Sequence, residues 1–94
     1  MALEVADINV EAGAEADFVA GYQIAREVLA AAPGCRSVRM TQGVETPSRF
    51  VLLVEWDSVE AHLAFRASDE FGQWRAPIAA YFARPPYVEH FADV

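Results

Sequence analysis

Phe50-Val51-Leu52-Leu53-Val54 is apolar at every position, and this constrains the fold more than any other stretch. Successive side chains of a strand point to opposite faces, so a strand without alternation buries both. The chain has 94 residues, which predicts one domain over 1–94. A domain of that length buries only about two-thirds of the surface of its unfolded chain. Yet 54% of the residues are hydrophobic, more than one protomer readily encloses. A partner chain is the simplest cover for the excess.

The other elements follow from periodicity and punctuation. Leu3 to Val10 reads as a strand, with Asp7 and Asn9 interrupting one face. Ala14 to Ala32 reads as a helix, its stripe formed by Phe18, Tyr22, Ala25 and Leu29 and widened by Ile24 and Val28. Pro33-Gly34 stops it. Cys35 to Gln42 is a second strand, and a polar, proline-containing connection leads to the third, Arg49 to Trp56. Asp57 or Ser58 can cap a helix over Ala61 to Ala67. Ser68-Asp69-Glu70 predicts a break with a second cap. Phe71, Trp74, Ile78, Tyr81 and Phe82 then share a helical face, with a kink or restart expected at Pro77. Pro85-Pro86 ends that helix, and Tyr87 to Ala92 is the fourth strand.

The order β-α-β-β-α-β predicts an α+β, ferredoxin-like fold: an antiparallel four-stranded sheet with helices on one face. The helices leave the second sheet face open. A homodimer packed sheet against sheet would bury it.

Fourteen acidic residues against seven basic ones leave a net charge of −7. Every basic residue is arginine, and none cluster, which argues against nucleic acid. The acidic balance disfavours anionic membranes, and no run reaches membrane-span length. Cys35 is the only cysteine, so no internal disulfide forms, and a buried inert thiol is its expected role. Residues 1–10 lack the apolar core of a signal peptide, so a cytoplasmic location is the expectation. Phosphate-binding glycine patterns, nucleophile elbows and Cys-His pairs are absent.

A few side chains have chemistry beyond packing. His62 is either a core-edge histidine or a proton acceptor suited to neutral pH. His90 alternates with Val88 and Ala92 on the fourth strand, which favours a structural role. The two histidines could share a metal, but no third ligand accompanies them. Trp56 shares a strand face with Phe50, Leu52 and Val54. As core it needs a partner for its indole N–H; as a pocket wall it would stack on a ring. Trp74 falls in the apolar stripe. Arg75 points elsewhere, either to a solvated ion pair or inward to stabilise a substrate anion. Asp7, Asn9 and Arg39 are polar residues on strands that should be at least half buried.

The stretches "VEWDSVEAH", "FRASDEF", "WRAPI" and "PPYVEHF", with "PGCRSVRM" after the first helix, resemble the antibiotic biosynthesis monooxygenase family across nearly the whole chain. The resemblance implies a dimeric α+β barrel with a pocket between helices and sheet in each protomer. It implies a monooxygenase that uses O₂ on a small aromatic, quinol-like or polyketide substrate, with no metal and no cofactor. Trp56 matches the aromatic position that ends strand three in cofactor-independent members. His62 falls where such members can have tyrosine, and Arg75 matches an arginine on the second helix. These three are the implied catalytic residues, with Leu52, Phe65 and Trp74 implied in substrate binding. Leu52 stands where some members have asparagine. Arg75 stands near the iron-ligating histidine of haem-degrading relatives and cannot ligate iron. The alternatives on the same barrel are a non-catalytic module for a hydrophobic ligand or haem, and a non-redox cyclase or isomerase.

Overall fold

The computed structural model describes all residues, 1–94. The elements are β1 (Ala2–Asn9), α1 (Glu15–Ala30), β2 (Cys35–Gln42), β3 (Arg49–Trp56), α2 (Val59–Arg66), α3 (Asp69–Arg75) and β4 (Tyr87–Phe91), with one 3-10 turn at Ala79–Tyr81. The strands form a single antiparallel sheet in the order β2-β3-β1-β4. This is the ferredoxin-like arrangement expected from the element order, with β1 and β3 central and β4 at an edge.

Alternation decides which face of the sheet the helices cover. On β3, Phe50, Leu52, Val54 and Trp56 point inward and are buried, while Val51, Leu53 and Glu55 point outward and stay half-buried. On β1 the inward set is Ala2, Glu4, Ala6 and Ile8. The core lies between this face and the helices, where Phe18, Tyr22, Ala25 and Leu29 of α1 meet Phe65, Trp74 and Ile78. The outer face is also apolar. Leu3 pairs with Phe91 and Glu55, and Val5 with Leu53. An open concavity of about 810 Å³ runs over Leu3, Leu53 and Phe91 there. Asp7 also lies outward, where its carboxylate accepts two 3.1 Å hydrogen bonds from the Arg49 guanidinium.

Three local expectations are corrected. Ile24 does not widen the α1 stripe: it is 69% exposed, because the sheet meets only the narrower face through Phe18, Tyr22 and Leu29. Ser68 holds the N-cap position of α3 but makes no side-chain cap bond there; its hydroxyl donates to the Phe65 carbonyl and closes the end of α2 instead. Ser58, one of two cap candidates for α2, is the one used, accepting from the Ala61 N–H at 3.2 Å. The second helical region is not one kinked helix. α3 stops at Arg75, and beyond Pro77 the chain makes only a 3-10 turn, as expected where proline removes a helical donor. α1 packs closely against this break. A Cβ added at Gly21 would collide with the Pro77 carbonyl oxygen, so glycine is what allows the approach.

Candidate functional site

At the inner end of the sheet, four polar side chains meet in an otherwise apolar core. Glu4 on β1 lies directly opposite His90 on β4 and Val54 on β3. Trp56 follows Val54 by two residues on the same face, so its ring lies diagonally across from Glu4. α2 brings His62 down onto this row. Glu4, Trp56 and His62 are all buried, with 5%, 0% and 4% exposure. His90, on the edge strand, is half-buried.

A buried carboxylate and two buried rings persist only if their polar atoms are paired. The Trp56 indole N–H donates to Glu4 Oε1 at 2.9 Å. His62 Nε2 lies 3.3 Å from the same oxygen. His62 Nδ1 lies 2.7 Å from His90 Nε2. The His62 ring also stacks on Trp56, with centroids 5.1 Å apart and planes 18° from parallel. The result is a continuous chain from Trp56 through Glu4 and His62 to His90.

The electrostatics follow from burial. Loss of water, reinforced by His90 and by Arg66, lowers the His62 pKa from 6.5 to about 4, so His62 is neutral at neutral pH. Burial also pushes the Glu4 carboxyl up, against the opposing pull of the Trp56 hydrogen bond and Arg66. A neutral imidazole has one donor and one acceptor nitrogen. His62 Nε2 lies within ion-pair distance of Glu4 Oε1 without hydrogen-bond alignment, and Nδ1 shares a hydrogen bond with His90 Nε2 in which either ring can donate.

Beside this network is a cavity of about 250 Å³ between the sheet and α2, α3 and the segment leading into β4. Glu4 and His62 form its polar end, and Leu52, Phe71, Trp74 and Phe82 are among its apolar lining. Arg66 and Arg75 lie on exposed turns at its mouth. The Arg75 guanidinium carbon is 6.0 Å from the Phe71 ring centroid and 5.7 Å from that of Phe82, a cation–π placement.

Of the residues singled out in the sequence, His62, Arg75, Leu52 and Trp74 line this cavity. Trp56 and Phe65 do not. Trp56 sits behind Glu4 and His62. Phe65 packs between Trp56 and Phe71, with ring centroids 5.8 Å from each. Sequence reasoning missed Glu4 entirely and gave His90 a structural role or, with His62, a share in a metal, but no place in a hydrogen-bonded network. The usable signal was the indole of Trp56, which had to find an acceptor inside the core. No group of three or more histidine, cysteine or acidic side chains is arranged to hold a metal ion, and no helix is long and apolar enough to cross a membrane.

Residues 1–77 match the family model for antibiotic biosynthesis monooxygenase. The uncharacterized protein YczJ of Bacillus subtilis is 30% identical over 95 residues, spanning the full length of both chains. Among solved structures, a candidate antibiotic biosynthesis monooxygenase from Bordetella bronchiseptica superposes with a TM-score of 0.94 at 40% identity, over 99% of this chain and 96% of that one. A point mutant of SnoaB, a cofactor-independent oxygenase from Streptomyces nogalater, shares the fold at 17% identity, with a TM-score of 0.83 over 98% of this chain and 91% of that one.

Proposed function

Because the chain belongs to the antibiotic biosynthesis monooxygenase family, we propose that it oxidises a small phenolic or quinol-like ring with O₂ and without a cofactor. The observation that carries this reading is the buried Glu4–His62 pair at the end of an aromatic cavity with arginines at its mouth. Such a site can take a proton from an acidic hydroxyl and hold the resulting anion. The anion then supplies the electrons. A phenol plus O₂ becomes a quinone plus water: one oxygen atom forms the new carbonyl and the other leaves as water with both hydrogens. The shared fold of SnoaB, described as a cofactor-independent oxygenase, supports this reading.

A cavity of about 250 Å³ lies just under the roughly 300–1,000 Å³ of typical ligand sites. It suits one or two fused rings better than a four-ring polyketide. Leu52, Trp74, Phe71 and Phe82 would hold the ring, and Arg75 would face the developing negative charge. Trp56 and Phe65, behind the wall, would support it. The reading includes a second copy of the chain on the outer sheet face, over Leu3, Val5, Leu53 and Phe91.

Oxygen uptake with one- and two-ring quinols, measured with and without chelator, tests the proposal. Stoichiometric uptake unaffected by chelator is the expected result. Tight binding of these compounds without uptake would refute it and leave a ligand-binding module.

A further inference from the structure

We infer that Glu4, rather than His62, takes the substrate's acidic proton, and that His62, His90 and Trp56 are positioning residues that aim its carboxylate. The inference rests on the oxygenase reading for its substrate class, but its geometry stands separately.

Both nitrogens of His62 are already engaged, Nδ1 with His90 at 2.7 Å and Nε2 with Glu4 at 3.3 Å. A base must present a free lone pair to the proton it removes, and each nitrogen of His62 faces another side chain, Nδ1 that of His90 and Nε2 that of Glu4. The indole of Trp56 is a donor only. The Trp56 indole donates to Oε1, and His62 Nε2 lies beside the same oxygen. Oε2 makes no hydrogen bond, yet no buried side-chain oxygen in the chain lacks a partner, so Oε2 is not sealed in the core. Glu4 itself lines the cavity. Oε2 is thus the free acceptor at the cavity's polar end.

The groups around Glu4 fit this role. His62 from α2 lies 3.3 Å from its carboxylate and is itself held by His90 of β4, Trp56 donates from β3, and Arg66 of α2 stands at the mouth. The step balances without a further reagent. The substrate O–H or α-C–H bond breaks, its proton goes to Glu4 Oε2, and the electron pair stays on the substrate beside Arg66 and Arg75. Burial favours the neutral carboxylic acid formed. The Trp56 hydrogen bond to Oε1, with the His62 ring packed beside it, keeps the carboxyl from rotating away, as outer-shell partners do for other reactive groups.

The test measures proton abstraction without oxygen. Under nitrogen in D₂O, 2-tetralone exchanges its α-hydrogens through an enolate, and NMR follows the rate. The wild type is expected to accelerate exchange well above buffer. Glu4→Gln should lose about 10²–10⁴-fold, the usual worth of a general base, while Glu4→Asp keeps a carboxylate and part of the rate. His62→Gln should lose only ~10–100-fold, as supporting residues do, with a shifted acid limb in the pH–rate profile. Exchange by Glu4→Gln at the wild-type rate would overturn the inference, as would a wild type no faster than buffer. A deeper loss in His62→Gln than in Glu4→Gln would return the role to the histidine. The two readings fail separately. Exchange without oxygen uptake on any quinol refutes the oxygenase and keeps the base. Uptake by Glu4→Gln at full rate refutes the base and keeps the oxygenase.

Discussion

Acidification loads the unfolded chain with a proton that the folded chain refuses at His62. In the unfolded state this histidine titrates near 6.5, whereas in its folded site the pKa is lowered to about 4. Between those values the unfolded state binds more protons, so the His62 contribution to stability falls as pH falls. At about pH 5 the gap of roughly 1.5 pH units corresponds to ~2 kcal/mol, a large share of a small domain's stability. Glu4 works in the opposite sense. Its folded pKa is raised, so the folded state takes that proton first and gains stability on acidification. Where the two titrations overlap, the effects oppose one another in the wild type. Glu4→Gln removes the opposing one and leaves the causes of the His62 shift in place, since burial, His90 and Arg66 remain. Urea denaturation at fixed protein concentration, from about pH 8 to about pH 5, should therefore show a steeper loss in Glu4→Gln than in the wild type, approaching ~2 kcal/mol. His62→Gln should show no such loss. An NMR titration placing His62 near 6.5, or equal pH slopes in the three proteins, would refute the argument.

Other perturbations probe the scaffold. Trp56→Phe deletes the donor to Glu4 Oε1 and leaves a void in a fully buried position; a loss of about 2–4 kcal/mol is expected in thermal or urea unfolding. Gly21→Ala sets a methyl group against the Pro77 carbonyl oxygen and should cost about 1–3 kcal/mol by overpacking, read from the same melts. Leu53→Glu places a charge on the outer sheet face; sedimentation should show a dimer for the wild type and a monomer for the variant, and a monomeric wild type would remove the second copy from the proposal.

Much of the fold was legible because its signals are local. The ranges of β2 and β3 read from the sequence coincide with the observed strands, Cys35–Gln42 and Arg49–Trp56, since a Pro-Gly stop, a proline-containing loop and a polar Asp-Ser step bound them. Helix boundaries were less clear. Whether Pro77 kinks or ends a helix depends on what α1 packs against, and that contact is nonlocal. The candidate site was half legible for a similar reason. His62, Trp74 and Arg75 stand out by residue type. Glu4 does not, because Leu3-Glu4-Val5-Ala6-Asp7-Ile8-Asn9 offers a mixed set on either phase. Only pairing with β3 shows that Ala2, Glu4, Ala6 and Ile8 face inward. The small side chains of Ala2 and Ala6 then flank the one carboxylate kept inside.

Glu4 and His90 face each other across one step of the sheet, yet they come from the first and final strands. Until Tyr87–Phe91 docks, the edge of β1 that receives it stays open. An open edge is a place for a foreign strand to add. Closing it requires contact between nearly opposite ends of the chain, which is slow to find. The row of Glu4 and His90 is therefore complete only when both ends of the chain are in place. A chain that has built the rest of its core but left this edge open still lacks the His62–His90 contact.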